Sequence, residues 1–269
     1  MASHIVVGVD GSAPATAAVE WAAADAQRRG LGLRIVHVCD QPGCAELLEE
    51  AAGRARDLTR DVEVTTALRA GHVTATLIGE SAAADSVVLG SRGRGGFAGM
   101  ILGSVGMGVA GHAAAPVVIV RRTSVLEHGR VVAGDDGSEH SEAALDYAVE
   151  QARARGVPLH IVYAWQLPVF APYAAAYMTL IEDAFDQVTR TAAERLEGCI
   201  ERNPDVRITG EQTPGHPVNL LIDAGRNADL VVVGSRGLGG FASAVLGSVS
   251  HALLHHLTCP VAVVRPRPA

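Results

Sequence analysis

The sequence predicts two α/β domains in tandem, each a doubly wound parallel sheet with helices on both faces. The first observation is a repeat, because a glycine-rich motif that starts at Val87 recurs from Val231 with the same spacing. The second is that short apolar runs alternate with helix-like segments in both halves, an order typical of right-handed βαβ crossovers. The third is length, since 269 residues suffice for two cores of ordinary size.

In the first copy, an apolar strand is predicted to turn into a helix at Asp10-Gly11-Ser12. Ser12 is the expected N-cap, because a serine side chain there accepts a hydrogen bond from a free helix N–H. The predicted strands are Ile5 to Val9, Leu33 to Val38, Val62 to Leu68, Ser86 to Gly90 and Val117 to Val120. The later helices are predicted over Glu46 to Leu58, Val73 to Ala83 and Ser104 to Ala113.

The second copy repeats this order with one insertion. Gly8 corresponds to Gly134, an offset of 126, whereas Val87 corresponds to Val231, an offset of 144. The 18 additional residues are placed around 165–183. The predicted strands lie near Val131 to Ala133, Leu159 to Ala164, Val206 to Thr209, Leu230 to Gly234 and Val261 to Val264. The expected domains are residues 1–122 and 128–269, joined near 122–129.

Composition excludes several kinds of function. A net charge of -7 disfavours binding to nucleic acid or acidic membranes, which requires a basic field. The chain contains no lysine, so a Walker A loop, a Schiff-base enzyme and the lysine of a protein kinase cannot be built. No apolar run is long enough to span a membrane and the N-terminus does not resemble a signal peptide, so a cytoplasmic protein is expected.

The four cysteines are expected to be incidental thiols. Cys39, Cys44, Cys199 and Cys259 form no Cys-x-x-Cys pair and no framework spacing, so neither a disulfide nor a zinc site is predicted.

The glycine motifs are the strongest functional signal. Gly90-x2-Gly93 is followed after nine residues by Gly103-Ser104, and the second copy repeats this spacing. Both motifs follow strands, at the sheet edge where α/β folds bind ligands. Glycine permits close backbone approach, and a helix start presents free N–H groups to an anion such as phosphate.

Two other interpretations of these glycines are open. They can be plain strand-to-helix turns, although recurrence at fixed spacing disfavours that. The run Gly93-x-Gly95-x-x-Ala98 also matches a loose dinucleotide fingerprint. However, it follows the fourth strand of its unit, and no acidic strand end lies about 20 residues further on.

The pattern Gly-x2-Gly-x9-Gly-Ser with an aspartate after the first strand resembles the ATP-binding universal stress proteins, over essentially the whole chain and twice. The resemblance implies a tandem member with Rossmann-like, adenine nucleotide alpha-hydrolase-like domains and one ATP site in each, with Mg²⁺ as a possible companion. It assigns to the first site Gly8, Val9, Asp10, Val38, Gly90, Ser91, Arg92, Gly93, Arg94, Gly103, Ser104 and Val105. It assigns to the second Gly134, Asp135, Asp136, Ala164, Gly234, Ser235, Arg236, Gly237, Gly247, Ser248 and Val249.

The two sites differ at positions that bear on phosphate binding. Arg94 is replaced by Leu238, and Asp135 adds a carboxylate beside Asp136, which we expect to weaken the second site. The aromatic insertion after Trp165 is a candidate lid or contact surface, and a simple helix-entry loop is an equal alternative.

A metal site is not predicted. His251 and His255 lie four apart on a presumed helix, but no accompanying glutamate motif supports a metal site. A role on a helix face or at an interface is therefore preferred.

The expected function is that of an ATP-binding regulatory module of the stress response, with no catalytic residues. A slow Mg²⁺-dependent ATPase and a nucleotide-free interaction protein on the same fold are the alternatives. Unpaired strand edges seek partners, and the resemblance implies pairing of the last strands across a pseudo-twofold axis. We expect that pairing within the chain, and a homodimer of two chains.

Overall fold

The computed structural model describes residues 4–39, 43–95, 102–121, 127–165, 178–238 and 245–267, with only the backbone over 178–186. The strands are β1 (His4–Val9), β2 (Gly32–Val38), β3 (Val64–Arg69), β4 (Ser86–Gly90), β5 (Val117–Val120), β6 (Val131–Asp135), β7 (Leu159–Trp165), β8 (Ile208–Pro214), β9 (Leu230–Gly234) and β10 (Val261–Val264). The helices are α1 (Ala13–Arg29), α2 (Cys44–Leu58), α3 (Val73–Ser81), α4 (Ser104–His112), α5 (Glu139–Arg155), α6 (Met178–Arg202), α7 (Pro217–Gly225) and α8 (Ser248–His256). Among these helices, none has both the length and the apolar composition needed to cross a membrane.

All ten strands form one sheet in the order β3-β2-β1-β4-β5-β10-β9-β6-β7-β8. Neighbours within each half are parallel, and strand order reverses next to β1 and β6. The predicted pair of doubly wound α/β units is confirmed. Ser12 caps α1 as predicted, accepting a hydrogen bond from the Ala15 N–H at 3.3 Å.

Each face of the sheet carries its own apolar core, as parallel sheets require. Ile5 and Val7 of β1 pack with α1, α2 and α5 on one face, whereas Val6 packs with Leu77 of α3 and Val109 of α4 on the other. The helices on the second face are short. Residues near the start of each of these helices line a cleft at the strand ends.

The halves meet through β5 and β10, the only antiparallel neighbours among the described strands. Val118 pairs with Ala262, and these residues are equivalent under the 144-residue offset, so a pseudo-twofold axis passes between them. The predicted pairing of the last strands within the chain is confirmed. Arg121 donates to the Leu254 carbonyl at 2.5 Å, and Arg265 donates to the Gly111 carbonyl, so each half contacts a helix end of the other.

The third strand of the second copy begins and ends later than predicted. It runs over Ile208–Pro214 and pairs with β7 as far as Trp165 and Pro214. Its length is therefore set by backbone pairing with β7 and not by its own apolar residues. The sequence pattern could not show this, because most of these residues are polar or exposed.

Part of the insertion extends a helix. α6 has 25 residues, against 15 in the equivalent α2, and the additional turns lie at its start. The aromatic segment 166–177, predicted as a lid or contact surface, lies outside the described residues.

The prediction of incidental thiols was wrong for two cysteines. Cys39 and Cys44 form a disulfide, with a Cα–Cα distance of 6.3 Å. Cys39 directly follows β2 and Cys44 begins α2, so the short strand-to-helix connection brings the sulfurs together. Cys199 and Cys259 are free thiols, as expected.

Candidate functional site

Two equivalent cavities open at the carboxyl ends of the strands, one in each half. The first cleft, of 430 Å³, contains all twelve residues that the sequence assigned to the first site. The second cleft, of 450 Å³, contains ten of the eleven assigned to the second site. The structure thus brings both predicted sets together, and their contact with a nucleotide stays a prediction.

Ser235 is the predicted residue that does not line the second cleft. Its side chain is fully buried, and its hydroxyl oxygen lies 3.0 Å from Nδ1 of His140. Its N–H donates to the Val264 carbonyl at 2.7 Å. Ser235 therefore stabilises the start of the glycine loop from the protein interior and not from the cleft.

Gly90 and Gly234 have a structural reason to be glycine that does not depend on a ligand. A Cβ on Gly90 would lie 2.6 Å from the carbonyl carbon of Pro14, and one on Gly234 would lie 2.8 Å from that of His140. Because these atoms are backbone at the start of α1 and α5, they cannot move aside as a side chain would. These glycines allow strand and helix to approach closely.

Asp10 anchors the glycine loop of the first cleft. Its carboxylate accepts hydrogen bonds from the Arg94 N–H at 2.8 Å and the Ser12 N–H at 3.0 Å. A Cβ on Gly93 would overlap the same carboxylate. Asp136 repeats the arrangement with the N–H groups of Leu238 at 3.1 Å and Ser138 at 3.0 Å.

The N-terminus of α4 supplies free donors to the first cleft. Its N-cap is Gly103, which offers no side chain to accept from the first helix N–H groups. Gly103, Ser104 and Val105 line the cavity, and the helix dipole makes this end positive. Gly247 begins α8 in the same way in the second cleft.

Each cleft also has an apolar wall. Leu77 of α3 and Leu221 of α7 are equivalent residues that line the two cavities. The sequence did not predict that these residues line the clefts, because buried leucines on a helix are typical of an ordinary core. The other apolar lining residues are Val36, Val73 and Leu89 in the first cleft, and Val162, Pro217, Val233 and Leu246 in the second.

The first cleft is lined by more cationic side chains than the second. Arg92 and Arg94 line the first cleft, whereas the second has Arg236 alone among its described lining residues, and Leu238 there is 75% exposed. The buried Nε of Arg236 has no hydrogen-bond partner among the described residues. An orphaned buried donor of this kind is costly.

Comparison with known proteins decides the family. The profile of the Universal stress protein family matches residues 1–61, 43–121 and 127–265. The chain belongs to the universal stress protein family.

Similar family members extend over the whole chain. A universal stress protein of Mycolicibacterium smegmatis is 34% identical, with 98% of this chain and 97% of that protein covered. Universal stress protein Rv2005c of Mycobacterium tuberculosis is 33% identical, with coverages of 97% and 96%. The crystal structure of a universal stress protein from Archaeoglobus fulgidus superposes with a TM-score of 0.70 at 21% identity, with coverages of 98% and 96%, and supports the fold.

In this universal stress protein, Asp135 has hydrogen-bond partners of its own, while the predicted weakening of the second site stays a prediction. The Asp135 carboxylate accepts hydrogen bonds from Arg195 at 2.9 and 3.1 Å and from the Ser141 hydroxyl at 2.7 Å. Burial opposes its ionisation, but these bonds and the Gly137 N–H outweigh burial and lower the pKa of Asp135. Its charge is therefore neutralised by α6, which the sequence could not reveal because Arg195 is 60 residues away.

His37 is a second lining residue that sequence reasoning missed. It is buried, lines the first cleft, and its Nδ1 lies 2.7 Å from the Val9 carbonyl oxygen. A histidine at the end of an otherwise apolar strand was the available signal. The two histidines of α8 singled out in the sequence, His251 and His255, contact each other with ring centroids 4.7 Å apart.

Proposed function

We propose that this universal stress protein binds ATP in both clefts and acts as a nucleotide-dependent regulatory module of the stress response. One observation carries the proposal: in each cavity an uncapped helix N-terminus faces an anchored glycine loop, with an apolar wall in the same cavity. The polar end suits a phosphate chain, and the apolar wall suits a purine base.

The size of the clefts supports a nucleotide as the ligand. Volumes of 430 and 450 Å³ lie within the range of about 300–1,000 Å³ common for small-molecule sites. Mg²⁺ would enter with the phosphates, because this ion is usually held by phosphate oxygens together with one or two carboxylates. Asp10 and Asp136 are the carboxylates placed for that role in the two clefts.

Binding without efficient hydrolysis is favoured over an ATPase. Asp10 and Asp136 accept hydrogen bonds from the glycine-loop N–H groups, so they hold the loop besides offering an oxygen to Mg²⁺, and neither is assigned the role of orienting a nucleophile. Fast phosphoryl transfer needs positioned cations and a group that orients the nucleophile. A regulatory role requires that ATP prefer one of two protein states, since a ligand shifts an equilibrium only by its difference in affinity.

Isothermal titration of the full chain with Mg-ATP tests the proposal, with phosphate release measured on the same samples. We expect two equivalents of ATP per chain and no release above the buffer control. Rapid release that is lost in Asp10→Asn or Asp136→Asn would instead identify an ATPase. No heat and no nucleotide released from denatured purified protein would identify a nucleotide-free interaction protein.

We also infer a cytoplasmic location and a homodimer, and both stay predictions. Because β5 and β10 pair with each other, a second chain has to use another surface. Light scattering at micromolar concentration tests association, and a monomer would contradict it.

A further inference from the structure

Three potential metal ligands cluster where β2 runs into α2. Cys39 follows the strand, Cys44 begins the helix, and His37 is the penultimate residue of the strand. The sulfurs and a ring nitrogen of His37 lie within 4.8 Å of one another. Among the described residues, no other group of three such ligands approaches this closely.

The hydrogen bond of His37 prepares the imidazole for a metal. A carbonyl oxygen can only accept, so the 2.7 Å contact with the Val9 carbonyl places the proton on Nδ1 and leaves the lone pair on the other ring nitrogen. Metal-binding histidines usually donate their second N–H to such a carbonyl. His37 and Cys44 are each 8% exposed, so two of the three ligands are held by the surrounding core.

We propose that Cys39, Cys44 and the unprotonated ring nitrogen of His37 bind one Zn²⁺ when the two cysteines are reduced. Two thiolates and one imidazole suit zinc, with a water molecule as the fourth ligand. In a tetrahedral zinc site these ligand atoms lie about 3.5–3.8 Å apart, so the sulfurs have to separate once their bond is reduced. The site borders the first cleft, because His37 lines that cavity.

The disulfide is the oxidised, metal-free form of the same site. A dithiol reductant breaks the Cys39–Cys44 bond, supplying two electrons and two protons and becoming a disulfide itself. Zn²⁺ then displaces the two thiol protons. Hydrogen peroxide reverses the change: the two zinc-bound thiolates with their Zn²⁺, one peroxide and two protons give the disulfide, two waters and free Zn²⁺. Reducing compartments keep such cysteines as thiols.

The second repeat provides an internal control. The residues equivalent to His37 and Cys39 are Tyr163 and Trp165, and the one equivalent to Cys44 is Val188. None of these three side chains is a zinc ligand. The site therefore belongs to the first repeat alone, and one ion per chain is expected.

Titration of the reduced, chelator-treated full chain with Co²⁺, followed by competition with Zn²⁺, tests the proposal. We expect one equivalent of Co²⁺, sulfur-to-cobalt charge-transfer absorption, and displacement by one equivalent of Zn²⁺. Treatment with peroxide should abolish binding. Cys39→Ser, Cys44→Ser and His37→Gln should each weaken binding at least tenfold, whereas Cys199→Ser and Cys259→Ser should not change it.

Several outcomes would overturn the zinc site. The first is a reduced wild-type chain that is folded by circular dichroism but shows no charge-transfer absorption. Another is binding that survives in Cys39→Ser, which is the informative variant if Cys44→Ser does not fold. Loss of absorption in Cys259→Ser would move the site elsewhere. None of these readouts depends on ATP.

Discussion

Asp25 and Gln151 occupy equivalent positions in the two repeats and hydrogen bond to each other at 3.0 Å. Both are fully buried, so the pseudo-twofold axis that pairs β5 with β10 also passes between α1 and α5. Arg155 donates to Asp25 at 3.2 Å and lies over the Trp21 ring, while Arg29 lies over the Tyr147 ring. Polar residues of both repeats thus join the halves.

Removing Asp25 should destabilise the whole chain. Asp25→Ala leaves the buried amide of Gln151 and the guanidinium of Arg155 without this acceptor, so we expect a loss of about 3–5 kcal/mol. Gln151→Ala should cost only about 1–3 kcal/mol, because Asp25 keeps its ion pairs with Arg28, Arg29 and Arg155. Urea denaturation of the full chain measures both, and a larger loss in Gln151→Ala would contradict this interpretation.

Removing one partner of the Asp135–Arg195 pair should lower the stability of the fold more than replacing both partners together. Arg195→Ala leaves a buried carboxylate without its main donor and should cost about 3 kcal/mol, the lower end for buried pairs, because Arg195 is partly exposed. Asp135→Val with Arg195→Ala copies the first repeat, where Val9 and Ala51 stand. The free energy of unfolding of this double variant should lie within about 1 kcal/mol of that of the wild type. If the loss of stability in the double variant equalled the sum of the losses in Arg195→Ala and Asp135→Val, the pairing would be contradicted.

The same pair predicts a dependence of stability on pH. The pKa of Asp135 is lowered in the fold because hydrogen bonds outweigh burial. The stabilisation is therefore complete above the unfolded pKa of about 4 and is lost as the pH falls through the lower folded value. The free energy of unfolding of the wild type should drop relative to the double variant below about pH 4. Parallel acid-dependence of the two proteins would exclude this contribution.

The unequal arginines predict unequal affinities. Arg94→Leu should weaken ATP binding at the first cleft, and Leu238→Arg should strengthen it at the second. Each change should be about 1.4- to fivefold at low salt, because an exposed charge pair is worth about 0.2–1 kcal/mol. The differences should shrink at high ionic strength. Titration at two salt concentrations measures this, and an effect independent of salt would argue against a charge contribution.

The sequence predicted the elements and the cleft residues well because both repeat. The spacing from Gly90 to Ser104 and its copy from Gly234 to Ser248 fixed the two glycine loops relative to the helix starts. The residues that sequence reasoning missed depend on contacts distant in the chain. Arg195 reaches Asp135 from an inserted helix, and Leu77 is recognised as a cleft wall only once α3 is placed.

The cysteines show the limit of spacing rules. Cys39 and Cys44 match no familiar motif, yet the turn from β2 into α2 brings them together beside His37. Ser235 is the converse case, since its place in the motif suggested the cleft while its hydroxyl contacts His140.

The most direct test of nucleotide binding uses Gly103→Asp and Gly247→Asp. Gly103 has the extended backbone of an N-cap, and a Cβ there would have no neighbour closer than 3.7 Å. Aspartate is among the best N-cap residues, so Gly103→Asp should fold at least as stably as the wild type. Its carboxylate would occupy the helix N–H groups and repel phosphate. Gly103→Ala, which adds no charge, is the matched control.

The decisive measurement is the number of ATP molecules bound per folded chain, by equilibrium dialysis with Mg-ATP. We expect two for the wild type, one for each single aspartate variant and none for the double variant, with the unfolding temperature of Gly103→Asp without ATP unchanged or raised. A Cβ on Gly247 would lie 3.3 Å from the Cα of Arg236, so for the variants that contain Gly247→Asp the requirement is only that they fold. Two equivalents retained in the folded double variant would contradict the assignment of the helix N-termini as the phosphate sites.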